Sequence, residues 1–322
     1  SKGNAPELDK IIKTNGAELL RLWVASVNYR EEIPWSREHT NRLSEAYRKI
    51  RNTARYALGN LDGFDPVADR VPYGEMLEFD RWALSQLNVL VAECRQAYSD
   101  FQFHAVYHAI YNFCSVELSA IYFDVLKDRL YTFAPKSHGR RSAQTALFEI
   151  IDRLTRLLAP ILAFTADEIW EYIPGAATRE PCVHLALFPD VEPAWDDEEL
   201  AERWEELLAV REAAQKALEA KRAAKEIGSS LEAAVTLGIP AEDFELVSSY
   251  REMLEDLLIV SGVTVTRADG DAIVVEVGMA EGTKCERCWH FRSSVGSDAE
   301  LQTVCAPCAG RVREGWSEQV GA

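Results

Sequence analysis

The chain has 322 residues, with 35 Lys and Arg against 52 Asp and Glu, for a formal net charge of −17 and a sequence pI near 4.9. Hydrophobic residues make up 48% and charged residues 27%, which fits an ordinary globular chain of about two domains and excludes wholesale disorder. The acidic balance argues against a general nucleic-acid binder, whose affinity rests on neutralising phosphates. No stretch approaches the ~20 apolar residues of a membrane helix, so no membrane partner is expected. The opening residues Ser1 to Glu7 lack the apolar run of a signal peptide, and the start without Met suggests a piece of something longer.

Apolar periodicity predicts a helix from about Pro6 to Asn28, broken at Ile33-Pro34-Trp35-Ser36, with Ser36 placed to cap the next one. That helix runs from about Arg37 to Leu58 and ends at Gly59-Asn60. Further helices follow over about 79–99, 101–125 and 142–158, the last resuming after Pro160 to Tyr172. Long amphipathic helices joined by short turns predict an antiparallel helix bundle. Charge is uneven along it. Arg37 to Arg55 holds six basic and two acidic residues, and Lys127 to Arg156 seven and three. Asp190 to Glu206 holds one basic and nine acidic. This acidic connector leads into a helix over about 198–225. Beyond Gly228 the period changes, with strands expected over about 233–237, 258–267 and 272–277 and a helix over about 244–254. The fold class is therefore mainly α: a bundle, then a small α/β piece, then a cysteine-rich tail. The expected divisions are 1–35, 36–190, 191–230, 231–280 and 281–322.

Seven cysteines, an odd number without a secretion signal, argue for a reducing cytoplasmic location rather than a disulfide scaffold. Cys94, Cys114 and Cys182 are scattered in apolar settings and read as inert thiols. The other four form two knuckles, Cys285-x-x-Cys288 and Cys305-x-x-Cys308, separated by sixteen residues. Each knuckle presents two thiolates, and two knuckles complete a tetrahedron suited to one Zn²⁺. With no vacant position the site reads as structural, and metal binding would supply most of the tail's folding energy. His290, just past a knuckle, is the one residue placed to replace a cysteine ligand.

Arg48, Arg51 and Arg55 recur at helical spacing on one face, flanked by Lys49 and Asn52. Such a row suits phosphates, with an amide to read a base edge and Tyr47 or Tyr56 to stack. It equally suits a solvated face paired with Glu45 and other acids, and spacing alone leaves both readings open. His104 and His108 stand four apart without the Glu of a metalloprotease helix and read as packing or surface residues. No nucleophile elbow, P-loop or dinucleotide-binding glycine pattern occurs. Asp167-Glu168 and Asp196-Asp197 are adjacent, so they read as capping or solvated charge.

Several stretches together resemble the C-terminal part of bacterial isoleucyl-tRNA synthetase, over essentially the whole chain. Ser1-Lys2-Gly3-Asn4 looks like the end of the signature loop of class I synthetases. Gly16 to Ser26, Arg42 to Thr53, Lys127 to Tyr131, Leu157 to Leu162 and Phe164 to Trp170 are similar to the segments that follow. Lys284-Cys285-Glu286-Arg287-Cys288-Trp289-His290 with the second knuckle looks like that family's zinc finger. The resemblance implies a bundle that binds the anticodon stem-loop of isoleucine tRNA, with Arg48, Lys49, Arg51, Asn52 and Arg55 as candidate contacts. It implies zinc on Cys285, Cys288, Cys305 and Cys308, and RNA contacts from Arg287, Trp289, Arg311 and Arg313 in the finger. Ser1 would be the remnant of the signature loop. ATP and Mg²⁺ would act only through catalytic and editing domains upstream in the same polypeptide. This segment alone would then be an inactive, monomeric part of an ATP-dependent ligase. Ala306-Pro307 departs from the family by lacking an Arg, for which Arg311 or Arg313 stand near enough to substitute.

Three other readings compete. A free-standing RNA-binding module would show a native mass near 36.2 kDa. The same portion of a valyl-tRNA synthetase is disfavoured by the four-cysteine tail. A DNA-repair glycosylase would need an N-terminal amine nucleophile in a β-rich domain.

Overall fold

The computed structural model describes residues 8–31, 36–175, 177 and 179–320. Ser1, and the break at Pro34-Trp35, lie outside these residues. The chain forms two compact units, one of residues 1–124 and 141–196, the other of 125–140 and 197–322. Residues 125–140 group with the second unit, which periodicity does not encode.

Unit one is helical. The single helix expected over 6–28 is two, α1 (Leu8–Asn15) and α2 (Ala17–Ser26), because Gly16 takes φ 82° between them. The α3 helix (Arg37–Asn60) begins as expected: the Ser36 Oγ accepts from the His39 N–H at 3.1 Å. Leu43, Ala46, Ile50, Ala54, Ala57 and Leu61 form its buried stripe, which leaves the Arg48 row on the outer side. The α4 helix (Glu78–Ser99) buries Phe79, Trp82, Leu87, Val91 and Cys94.

The next run is α5 (Phe103–Asn112), a π-helical stretch over Phe113–Tyr122, and α6 (Phe123–Thr132), where one α-helix to about 125 is expected. Widened turns leave carbonyls for side chains to satisfy, and the Ser119 Oγ donates to the Cys114 carbonyl oxygen at 2.6 Å. By length and composition this run, Phe103–Thr132, could cross a membrane, contrary to the expectation that no stretch qualifies. Val106, Ile110, Phe113, Cys114, Leu118 and Tyr122 are buried in unit one, as a central bundle helix requires.

Two further helices are α7 (His138–Leu158) and α8 (Ala163–Tyr172). Pro160 separates them, and the turn's carbonyls are satisfied by Arg21 of α2, which donates to Pro160 at 2.7 Å and Ile161 at 2.8 Å. One buried carboxylate ties three segments together. Asp80 of α4 accepts from the Tyr122 hydroxyl at 2.7 Å and from the Ser142 hydroxyl at 2.5 Å.

In unit two, α9 (Glu198–Ala223) is capped by Asp197, whose carboxylate accepts from the Leu200 N–H at 2.9 Å. It buries Leu200, Trp204, Leu207 and Leu218. A three-stranded sheet follows, with β1 (Ala233–Ile239) between β2 (Gly262–Arg267), parallel, and β3 (Val274–Met279), antiparallel. Val235 pairs with Val263 on one side and Val277 on the other. Ala233, Val235, Leu237 and Ile239 are buried, every second residue of β1, as strand geometry dictates. The β1–β2 crossover contains α10 (Phe244–Ser249) and α11 (Arg251–Leu258), where a single helix over 244–254 is expected. Last come a two-stranded ribbon, β4 (Thr283–Lys284) with β5 (Phe291–Arg292), and α12 (Ala306–Val320).

Candidate nucleic-acid interface and metal centre

Arg48, Lys49, Arg51, Asn52 and Arg55 are all exposed on α3. The Arg48 Nε donates to the Ser44 carbonyl at 3.3 Å, and the Lys49 Nζ lies 3.3 Å from the Tyr111 hydroxyl. Arg51 pairs with Glu168 of α8 at 2.8 Å and lies 3.3 Å from the Tyr47 hydroxyl. The Tyr47 hydrogen bond and the Glu168 charge together push its guanidinium pKa up. Asn52 and Arg55 have no hydrogen-bond or ion-pair partner among the described residues. The acid that pairs with this face is Glu168, not Glu45. Tyr56 is not available for stacking, since its ring stacks on Phe123 at 4.3 Å and its hydroxyl donates to the Phe123 carbonyl. Tyr47 is held by Thr165 at 2.9 Å.

A groove of about 500 Å³ opens between α3 and α8. Its apolar floor is Ala54, Leu58 and Ile169, and its rim is Arg51, Asn52, Arg55, Glu168 and Tyr172. Tyr172 is 69% exposed. Sequence reading missed Glu168 and Tyr172 because their partners lie more than a hundred residues away. The available signal was an exposed aromatic at the end of a helix that also carries acids. His104 and His108 join no metal-ligand group among the described residues, and burial together with His104 lowers the His108 pKa.

The four cysteines do meet. The Sγ atoms of Cys285, Cys288, Cys305 and Cys308 all lie within 4.8 Å of one another, with Cys288 and Cys305 3.8 Å apart and unbridged. Their backbone is built for this. The Cys285 N–H donates to the His290 carbonyl and the Trp289 N–H to the Cys285 carbonyl, both at 2.9 Å, and Trp289 takes φ 67° to close the knuckle. The Cys305 N–H points at the Cys285 Sγ from 3.3 Å. Gly282 enters the ribbon at φ 99°, where a Cβ would fall 2.4 Å from the Arg292 backbone, so only glycine fits.

Charge is crowded here. The Cys288 thiol is pushed down to about 3, first by Cys308 and then by His290 and Cys285. Burial pushes Cys305 up to about 11, and the Cys288 thiolate pushes Cys308 up further. One thiolate thus forms at its neighbours' expense, a conflict that a dication in their midst removes. The donor set, closed and all sulfur, fits a structural metal. His290 is not part of that set; its Nδ1 contacts the Cys288 carbonyl at 3.2 Å, and it groups separately with Cys288 and Asp128.

The remaining finger residues divide. The Arg311 guanidinium lies 3.8 Å over Phe133, donates to Thr132 at 2.6 Å and pairs with Asp128 at 3.0 Å. Arg313 pairs with Asp298 and Glu300. The expected use of Arg311 and Arg313 on phosphate therefore meets partners already in place. Arg287 donates to the Thr132 carbonyl at 3.0 Å. Trp289 is 60% exposed, with the Lys284 ammonium 5.4 Å from its ring.

The comparisons with known proteins bear on this geometry. Residues 80–237 match the anticodon-binding domain of tRNA ligase. Over 317 residues the chain is 49% identical to the isoleucine–tRNA ligase of Syntrophotalea carbinolica, covering 96% of this chain and 34% of that protein. The match falls in the C-terminal part of that ligase. The ligases of Geobacter sulfurreducens and Moorella thermoacetica are 47% and 45% identical over 97% and 98% of the chain. The chain spans about a third of the length of these ligases. The domain match starts at Asp80, so the α3 row lies outside it while α8 and the Glu168 side of the groove lie within.

Proposed function

We propose that this chain is the tRNA-reading and zinc-bearing portion of an isoleucine–tRNA ligase of the cytoplasm. The whole enzyme joins isoleucine to its tRNA with ATP. On this reading ATP, Mg²⁺ and the chemistry belong to upstream domains of the same polypeptide, and the segment alone is inactive and monomeric.

The groove between α3 and α8 carries the proposal. A site of about 500 Å³ falls within the ~300–1,000 Å³ range of small-ligand pockets. Tyr172 offers a stacking face to an unpaired base, Asn52 an amide for its edge, and Arg48, Lys49 and Arg55 charge for the flanking phosphates. Arg51 is held in reserve. Its pair with Glu168 is about half exposed on both sides, and such pairs contribute only ~0–1 kcal/mol, so a phosphate or base edge displaces Glu168 at little cost. In the finger, Cys285, Cys288, Cys305 and Cys308 would hold one Zn²⁺, which would tie the two knuckles together. Trp289 and Lys284 face RNA, Arg287 and Arg311 hold the finger to residues 128–133 of its own unit, and Arg313 pairs within the finger.

Binding of this chain to isoleucine tRNA and to the same tRNA with a valine anticodon tests the reading. Tighter binding of the isoleucine form is expected, with Arg55→Ala lowering the salt slope by about one. A preference for the valine anticodon, or charging of tRNA by this chain alone, would overturn it.

A further inference from the structure

A second group of metal-binding side chains lies in unit one, far along the sequence from the four cysteines. The ligand atoms of Asp167, Cys182 and His184 lie within 4.8 Å of one another. They come from two pieces of chain. Asp167 is on α8, while Cys182 and His184 flank Val183 at the start of a short turn over Val183–Leu185. Val183 is 2% exposed, which anchors the turn to the core and leaves its two neighbours together on the outer side, over α8.

The hydrogen bonding suits a metal. The His184 Nε2 lies 3.1 Å from the Ala163 carbonyl oxygen. A carbonyl only accepts, so Nε2 carries the proton and the Nδ1 lone pair is free. A ring nitrogen donating to a backbone carbonyl is the usual way a metal-ligating histidine is oriented. Asp167 and Cys182 spend their ligand atoms on no hydrogen bond or ion pair among the described residues. Thiolate, imidazole and carboxylate are together a borderline donor set that selects Zn²⁺ or a neighbouring divalent transition metal over Mg²⁺ or Ca²⁺. Two negative ligands and one neutral ligand balance a dication.

We propose that Asp167, Cys182 and His184 form a second zinc site with its fourth position open to water. It differs from the four-cysteine centre in kind. That centre is closed and three of its cysteines are buried, whereas here Asp167 and Cys182 are part-buried and His184 is exposed, so the ion exchanges readily. The site staples the turn over 183–185 to α8. The residue after Asp167 is Glu168, the partner of Arg51, and Tyr172 is one turn further along the same helix. Occupancy therefore fixes the α8 wall of the groove. The metal site itself stands whether or not the groove binds RNA.

Zinc titration of the 322-residue chain against a chromophoric chelator tests this. Two equivalents are expected, the second weaker and faster to exchange, and Zn²⁺ should shield Cys182 from thiol alkylation. Cys182→Ser and His184→Ala should each bind a single equivalent. Both positions lie outside the core, and circular dichroism confirms that the variants fold. With Co²⁺ in place of Zn²⁺, the second equivalent should add a mixed sulfur–nitrogen spectrum that Cys182→Ser abolishes. A wild-type chain that stops at one equivalent would overturn the site. So would a second equivalent that survives both substitutions.

Discussion

Removing the metal from the four-cysteine centre should unfold the finger and leave the helix bundle intact. The apolar support of residues 283–305 is slight: among the described residues the non-cysteine apolar side chains packed on the cysteine cluster are Val295 and Val304, both part-exposed. Burial of a whole valine contributes ~1.5–3 kcal/mol, so two half-buried ones together contribute about the same, ~1.5–3 kcal/mol. Ordering the backbone costs ~1–2 kcal/mol per residue, which the valines offset for only a few residues. Structural zinc binding typically supplies ~10–16 kcal/mol, several times the apolar term, so with zinc bound the thiolate–metal bonds would decide whether this stretch folds. Hydrogen exchange by mass spectrometry reads the outcome. After chelation, or in Cys308→Ser, the amides of Cys285, Trp289 and Cys305 should lose their protection. Those of α4 should keep it, because α4 is held by Phe79, Trp82, Leu87 and Val91 in the other unit. Unchanged protection over 283–305 in metal-free chain would refute the reasoning.

Three further perturbations follow from the same contacts. Tyr172→Ala should weaken tRNA binding by ~1–3 kcal/mol, roughly fivefold to 150-fold, while Tyr172→Phe keeps the ring and binds normally in a filter assay. Tyr122→Phe removes a hydroxyl donor to the buried Asp80 carboxylate, and urea unfolding should show a loss of ~1.5–3 kcal/mol. Asp298 should titrate at about 2, chiefly because Arg313 hydrogen-bonds to it and then because the Glu300 and Leu301 N–H groups do. Its folded pKa is depressed, so its stabilisation is complete above the unfolded value of ~3.9 and is lost as pH falls toward 2. An NMR midpoint near 4 would contradict this, and Arg313→Ala should raise the midpoint.

What could be read from the sequence was local. Ser36 capping α3, the Pro160 break and the two knuckles are each written within a few residues. Misreadings arose where apolar periodicity is silent and, further on, where distant residues decide. Gly16 splits the first helix without a change in apolar period. The π-helical stretch over Phe113–Tyr122 depends on side chains such as Ser119 bonding back to the backbone. The membership of 125–140 in unit two depends on Thr132, Phe133 and Asp128 meeting Arg287 and Arg311. At the site the Arg row was visible as a periodicity, but Glu168 and Tyr172, which α8 places opposite it, were not. The same limit hid Asp167 from Cys182 and His184, which lie on separate pieces of chain.

The groove between α3 and α8 is tested most directly by photo-crosslinking. Replacing Tyr172 with benzoylphenylalanine puts the reactive group on the groove's rim. Irradiation with isoleucine tRNA should yield one dominant adduct in the anticodon loop, competed by unlabelled tRNA and weakened in Arg55→Ala. An adduct confined to the acceptor arm, or none beyond that of an unrelated RNA, would contradict the assignment.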